Sequence, residues 1–182
     1  MLCNARGFCL RSRSPEGTYA AGRMLAEAIG PGGLTLCLSG PLGSGKTVFV
    51  KGLAAGLGIS PDGVVSPTFT LAHLHSRPGG AAFWHADLYR LEGEAELEEL
   101  GLFDFPSPEV VIAIEWGERF QELLPSERMT LQLARVVGEP DARVALAEAT
   151  GSGAVAVLER WFAKLVTTAR DAAAEIGDVA WH

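Results

Sequence analysis

Eight residues, Gly40-Pro41-Leu42-Gly43-Ser44-Gly45-Lys46-Thr47, have the G-x-x-x-x-G-K-[ST] spacing of a loop that turns backbone N–H groups around phosphate oxygens. Glycines at 43 and 45 suit that turn, because a Cβ would obstruct it. A helix starting at the lysine would add its dipole and its free N–H donors. In this pattern the Lys46 ammonium neutralises the β and γ phosphates, and the Thr47 hydroxyl ligates Mg²⁺. The whole run from Gly40 to Thr47 is therefore a candidate nucleotide-binding element, with Lys46 also a catalytic candidate. Guanine-specific loops usually carry an Asn/Thr-Lys-x-Asp signature and an Asp-x-x-Gly switch. Here Lys46, Lys51 and Lys164 all lack an Asp two residues on, and no Asp has a Gly three residues later, so ATP is expected rather than GTP.

Such a loop needs an acid to organise the metal, typically at the end of a neighbouring buried strand. Glu115 closes the apolar run Val110-Val-Ile-Ala-Ile114 and is the best candidate, as metal ligand and catalytic residue. Asp87 ends the run before it, in Trp84-His-Ala-Asp-Leu-Tyr-Arg90, where it would support the metal, act as a base, or pair with Arg90. His85, two residues earlier on that strand, reads as a packing or hydrogen-bonding residue. Ser66-Pro-Thr-Phe-Thr70 follows the loop helix closely, where switch segments bring a hydroxyl to the γ-phosphate; Thr68 and Thr70 are the candidates, against plain turn chemistry.

These residues require positioning elements, and the sequence supplies them. Leu34 to Ser39 is a short apolar run between glycine-rich turns, a buried strand leading into the loop, and a helical pattern runs from Thr47 to about Leu57. Upstream, Arg6 to Ser12 reads as a short edge strand. Ser14, Pro15 and Glu16 then start an amphipathic helix that stops at Gly30. Thr68 to Ser76 and Ala81 to Asp87 flank Arg77-Pro-Gly-Gly80 as a hairpin, and Met129 to Val136 and Arg143 to Ala149 flank Gly138-Glu-Pro-Asp141 as another. Glu94 to Leu100 is a short helix; the five glutamates from Glu92 to Glu99 form either a solvated face or a docking surface for a basic partner, interleaved with Leu97, Leu100, Leu102, Phe103 and Phe105. Together these predict an α/β domain with the P-loop NTPase fold, a mixed, mainly parallel sheet flanked by helices, over residues 1–150. Residues 151–182 read as a helical extension of unknown role, running from Ala154 to Ile176 after a Gly-Ser-Gly break suited to a hinge.

The 182 residues suffice for one ordinary domain with a buried core. Net charge is −7, but eight Lys/Arg meet four Asp/Glu up to residue 91, and seven meet eighteen beyond it. That acidic balance argues against direct binding of polyanions. Cys3, Cys9 and Cys37 fit neither a zinc site nor a disulfide framework, and no apolar run is long enough for a signal peptide or a membrane span, so a cytoplasmic protein with free thiols is expected.

The ordered series LSGPLGSGKTVFVKGLAAGLG, SPTFTL, HADLYRL, ELEELGLFDF, VIAIEW and LP resembles the bacterial tRNA threonylcarbamoyladenosine biosynthesis ATPase family, TsaE, colinearly from about Gly33 to Ala149. The resemblance implies a P-loop ATPase acting beside two partner subunits, TsaB and TsaD, which transfer threonylcarbamoyl to the adenosine next to the anticodon. With the acidic balance and the lack of a long apolar run, contact with tRNA is expected only through them, and no contact with a membrane. By motif it assigns Gly43 to Thr47 to the phosphates, Thr47 and Glu115 to Mg²⁺, Asp87 to hydrolysis, and Ser66 to Thr70 to a nucleotide-responsive loop. Trp116 belongs to the same motif as Glu115, and Arg143 falls where the family has an arginine near the nucleotide. Pro41 stands where the family often has Asp, and Ser44 where it often has Ala; neither removes a required glycine, lysine or hydroxyl. A small-molecule kinase shares the loop and the acid, although no arginine-rich lid is present, and a nucleotide-gated binding module would need the loop alone.

Overall fold

The computed structural model describes residues 6–67, 70–78, 82–101, 109–171 and 175–181. In chain order the elements are β1 (Arg6–Ser12), α1 (Pro15–Ile29), β2 (Leu34–Ser39), α2 (Lys46–Gly56), β3 (Ala72–Ser76), β4 (Ala82–Asp87), α3 (Glu94–Glu99), β5 (Val111–Glu115), β6 (Arg128–Val136), β7 (Glu139–Thr150), α4 (Ser152–Ala169) and β8 (Ile176–Trp181). The strands form one sheet in the order β3-β4-β5-β2-β6-β7-β1-β8. The parallel pairs are gathered where the phosphate loop sits, β4 with β5 and β2 with both β5 and β6. The remaining pairs are antiparallel, including the two hairpins expected from the turn residues.

Alternation along the strands separates two cores. Leu34, Leu36 and Leu38 of β2 and Val111 and Ala113 of β5 face one cluster, which α1, α2 and α4 cover with Leu25, Phe49, Leu53 and Leu158. Cys37, Ile112 and Ile114 face the other, closed by Leu97 of α3 and by Phe120 and Leu124. The start of α1 is fixed as the sequence suggests: the Ser14 hydroxyl accepts from the Gly17 N–H at 3.1 Å, with Pro15 in the first turn. On α3 the glutamates are exposed and only Leu97 turns inward, whereas Leu102, Phe103 and Phe105 lie outside the described residues. Among the described residues no helix is long and apolar enough to cross a membrane.

Two expectations change at the far end of the sheet. β1 is an interior strand, because β8 pairs with its outer side and takes the edge. The helical reading of the tail to Ile176 stops early: α4 ends at Ala169 and the chain re-enters the sheet as β8. The Gly151–Gly153 break is pinned, with the Gly153 N–H donating to Glu127 Oε1 at 2.8 Å. Residues after 151 also fill the main core. Trp161 is fully buried, lies edge-on to Phe8 and Phe49, and donates its indole N–H to the Ala21 carbonyl at 3.0 Å. Trp161→Ala should therefore lower unfolding free energy by about 3–5 kcal/mol, with an early midpoint in urea; a midpoint within error of the parent would show that the tail does not belong to the cooperative unit.

Burial pushes the Cys37 thiol up from 9.0 to about 12, helped by Glu118 and opposed by Arg128. The folded chain keeps this proton where the unfolded chain loses it, so stability should fall as pH rises from 9 toward 12. The Cys37 contribution to that slope is at most about 1.4 kcal/mol per pH unit. Denaturation curves from pH 8 upward should be flatter for Cys37→Ala, and parallel slopes for the two proteins would contradict the assignment.

Candidate functional site

The loop at 40–45 is wound tightly enough to need its glycines. A Cβ on Gly40 would run into the Leu133 carbonyl, and one on Gly43 into the Arg135 guanidinium; both residues have positive φ, 126° and 73°. The chain then enters α2 at Lys46, whose side chain folds back so that Nζ donates to the carbonyls of Gly40 at 2.8 Å and Pro41 at 3.3 Å. Burial lowers the Lys46 pKa from its ordinary value, and the charges of Glu115, Glu118 and Asp87 oppose that shift.

Parallel pairing brings the acids to the same place. Leu38 of β2 and Asp87 of β4 both stand level with Glu115 of β5. Glu115 follows Ala113 of the helix-side core by two positions and Asp87 follows Phe83 of it by four, so both carboxylates emerge on the α2 side. Both are almost fully buried, at 3% exposure. Thr47 Oγ1 donates to Glu115, 2.9 Å from Oε1 and 3.2 Å from Oε2. Asp87 Oδ1 accepts from the Tyr89 N–H at 3.0 Å, and Oδ2 from the Ser66 hydroxyl at 2.6 Å.

Lys46, Thr47, Asp87, Glu115 and Arg143 line one cavity of about 380 Å³, together with Leu42, Gly43, Gly45 and Ser66. Gly40, Pro41 and Ser44 belong to the loop but do not line it. Thr68 lies outside the described residues. The Thr70 hydroxyl turns toward β3 and meets His73 Nε2 at 2.6 Å. Among the described residues of that segment, the hydroxyl that reaches an acid is that of Ser66, which the sequence offered only as part of the loop.

Trp116 has a left-handed backbone, φ 64°, unusual for a bulky side chain. Its N–H donates to the Leu38 carbonyl at 2.9 Å, and its indole lies over Lys46, with Nζ 4.0 Å from the ring centroid. Tyr89 packs on the indole with centroids 5.1 Å apart.

Arg135 escaped the sequence reading. It lies directly across the β6–β7 hairpin from Arg143, and both guanidiniums reach the Gly43 carbonyl, Arg135 Nε at 3.2 Å and Arg143 Nη2 at 3.5 Å. Its signal was available, as a second arginine at hairpin-mirrored spacing, but only the register shows that the two share a carbonyl. Two buried polar atoms here, Ser44 Oγ and Arg143 Nε, have no protein partner among the described residues. Unpaired donors beside the glycine loop suit an anion, and the hydroxyl and carboxylates suit a hard cation held partly by that anion. Arg135→Ala should speed amide exchange at Gly43 to Gly45 while costing about 1 kcal/mol or less in global stability; unchanged exchange would separate Arg135 from the loop.

A glycine loop wound between a central parallel strand and its helix, with acids ending the adjacent strands, is the architecture of the P-loop NTPase fold. Residues 12–143 match the family model described as threonylcarbamoyl adenosine biosynthesis protein TsaE, and the chain belongs to that family. It is 42% identical over 142 residues to the tRNA threonylcarbamoyladenosine biosynthesis protein TsaE of Streptomyces coelicolor, covering 77% of this chain and 90% of that one. The Bacillus subtilis protein of the same name is 40% identical over 125 residues, 69% and 76% of the two chains. A crystal structure of Bacillus subtilis YdiB superposes with a TM-score of 0.67 at 30% identity, covering 88% of this chain and 97% of that one.

Proposed function

We propose that this protein binds ATP with Mg²⁺ and hydrolyses it to support the subunits that place threonylcarbamoyl on tRNA. The chief support is the convergence of Lys46, Thr47, Asp87 and Glu115 on one cavity at the mouth of the glycine loop. The names of the relatives support the tRNA-modification setting, and with it a cytoplasmic location and partners of the TsaB and TsaD kind. Direct contact with tRNA is not part of the proposal, in keeping with the net charge of −7.

In this reading the loop amides and Lys46 bind the β and γ phosphates. For Lys46 that means exchanging its bonds to the Gly40 and Pro41 carbonyls for phosphate oxygens. Thr47 and Glu115 would hold the metal jointly with those oxygens; among the described residues no group of three His, Cys, Asp or Glu is placed to hold one unaided. Bound Mg²⁺ would neutralise charge developing on the transferred phosphoryl group. Asp87, fixed by Ser66 and the Tyr89 N–H, orients the attacking water, and Arg143 offers its unpartnered Nε to the phosphates.

The test is phosphate release from Mg-ATP by the purified chain, alone and with its two transfer subunits. Lys46→Ala should remove most ATP affinity, while Asp87→Asn should bind nearly normally and hydrolyse about 10²-fold more slowly or worse. Equal losses of binding in both variants would undo these roles, no stimulation by the subunits would undo the setting, and a phosphorylated small molecule formed faster than free phosphate would make the protein a kinase.

A further inference from the structure

His85 is a member of the buried polar cluster to which the proposed chemistry gives no task. Its ring is fully buried on β4, on the same face as Asp87. Nε2 lies 3.0 Å from Glu115 Oε1, the oxygen that also accepts from Thr47 at 2.9 Å. Nδ1 is buried with no hydrogen-bond partner among the described residues. As mere core filling this imidazole is a poor choice, because an unpartnered ring nitrogen costs desolvation that an apolar ring of similar size would avoid. What the imidazole offers in return is its bond to Glu115.

That bond acts on a soft degree of freedom. The terminal torsion of a glutamate is broad and roughly two-fold, so a carboxylate at a strand end swings unless something holds it. Thr47 cannot hold it alone, since one hydroxyl bridges both oxygens at 2.9 and 3.2 Å and would itself be needed at a cation. The bond from His85 comes from the neighbouring strand β4, two residues before its end, and ties one oxygen there. We propose that His85 is a positioning residue: it fixes the plane of the Glu115 carboxylate so that its remaining lone pairs meet a divalent cation beside Thr47. The inference rests on the ATP–Mg²⁺ reading of this site and adds a residue to it. Groups that orient a metal ligand in this way typically change metal affinity or activity by about 10–100-fold when removed.

The experiment uses the full chain, ATP, and Mn²⁺ as a probe of the Mg²⁺ position, with affinities read by electron paramagnetic resonance and calorimetry. His85→Phe keeps the ring volume and removes the donor; His85→Gln retains an N–H donor. In His85→Phe, Mn²⁺ affinity in the presence of ATP should fall by about 10-fold or more, while ATP affinity measured in chelator stays within about two-fold of the parent. His85→Gln should recover most of the Mn²⁺ affinity, which also covers the case of a poorly folded phenylalanine variant. Unchanged Mn²⁺ affinity in His85→Phe, an equal fall of both affinities, or no recovery in a folded His85→Gln would overturn the role of His85 alone. Failure of the parent protein to bind Mn²⁺ with ATP would overturn the reading of the site and this inference with it.

Discussion

Parallel strands in register end at the same level, and here that level is where all the candidate chemistry lies. Pairing of β5 with β2 on one side and β4 on the other sets Glu115 beside Leu38 and Asp87, one residue from the strand end that opens into the glycine loop. A slip of one residue would turn a carboxylate onto the opposite face and into the second apolar cluster. The alternation of Val111 and Ala113 toward one core and Ile112 and Ile114 toward the other prevents that slip. The hydrophobic pattern of β5, which carries no chemistry itself, thus determines where Glu115 points.

The site gathers charge where burial is costly. Lys46, Asp87 and Glu115 are each no more than 4% exposed. An isolated buried charge would be strongly unfavourable, so each is held by donors or acceptors from a different element. The loop carbonyls take the ammonium, Ser66 and the Tyr89 amide take Asp87, and His85 with Thr47 takes Glu115. The bonds of Ser66 to Asp87, of His85 to Glu115 and of Thr47 to Glu115 span separate segments, so they tie the connection after α2, the end of β4 and the end of β5 to the start of α2. Arg135 and Arg143 do the opposite. They set two like charges across a strand pair, an arrangement that an anion between loop and hairpin would relieve.

Legibility in the sequence follows the range of the interaction. The loop, α1 with its cap, β2, β5 and the two hairpins depend on neighbours within a few residues, and periodicity and turn chemistry reveal them. Glu115 and Asp87 could be named because each ends an apolar run. That Ser66 meets an acid could not, since Ser66 and Asp87 are 21 residues apart and their meeting is a tertiary fact. Arg135 was hidden for the same reason, because its partner is a carbonyl 92 residues away. β8 escaped because Ile176–Trp181 carries a weak strand pattern, and its place beside β1 is a tertiary fact.

The far end of the sheet bears on the site through the hairpin that carries the two arginines. β7 pairs with β6 on one edge and with β1 on the other, and β1 is in turn held by β8 and by the aromatic cluster of Phe8, Trp161, Phe162 and Trp181. Without β8 the strand β1 would become an edge, with unpaired N–H and C=O groups facing outward. Without α4 the helix side of β6, β7 and β1 would lose the cover of Val157, Leu158, Trp161 and Leu165. The segment after Gly151 therefore supports the framework from which Arg135 and Arg143 reach Gly43. Its connection to the candidate site runs through that hairpin, since none of its described side chains lines the cavity.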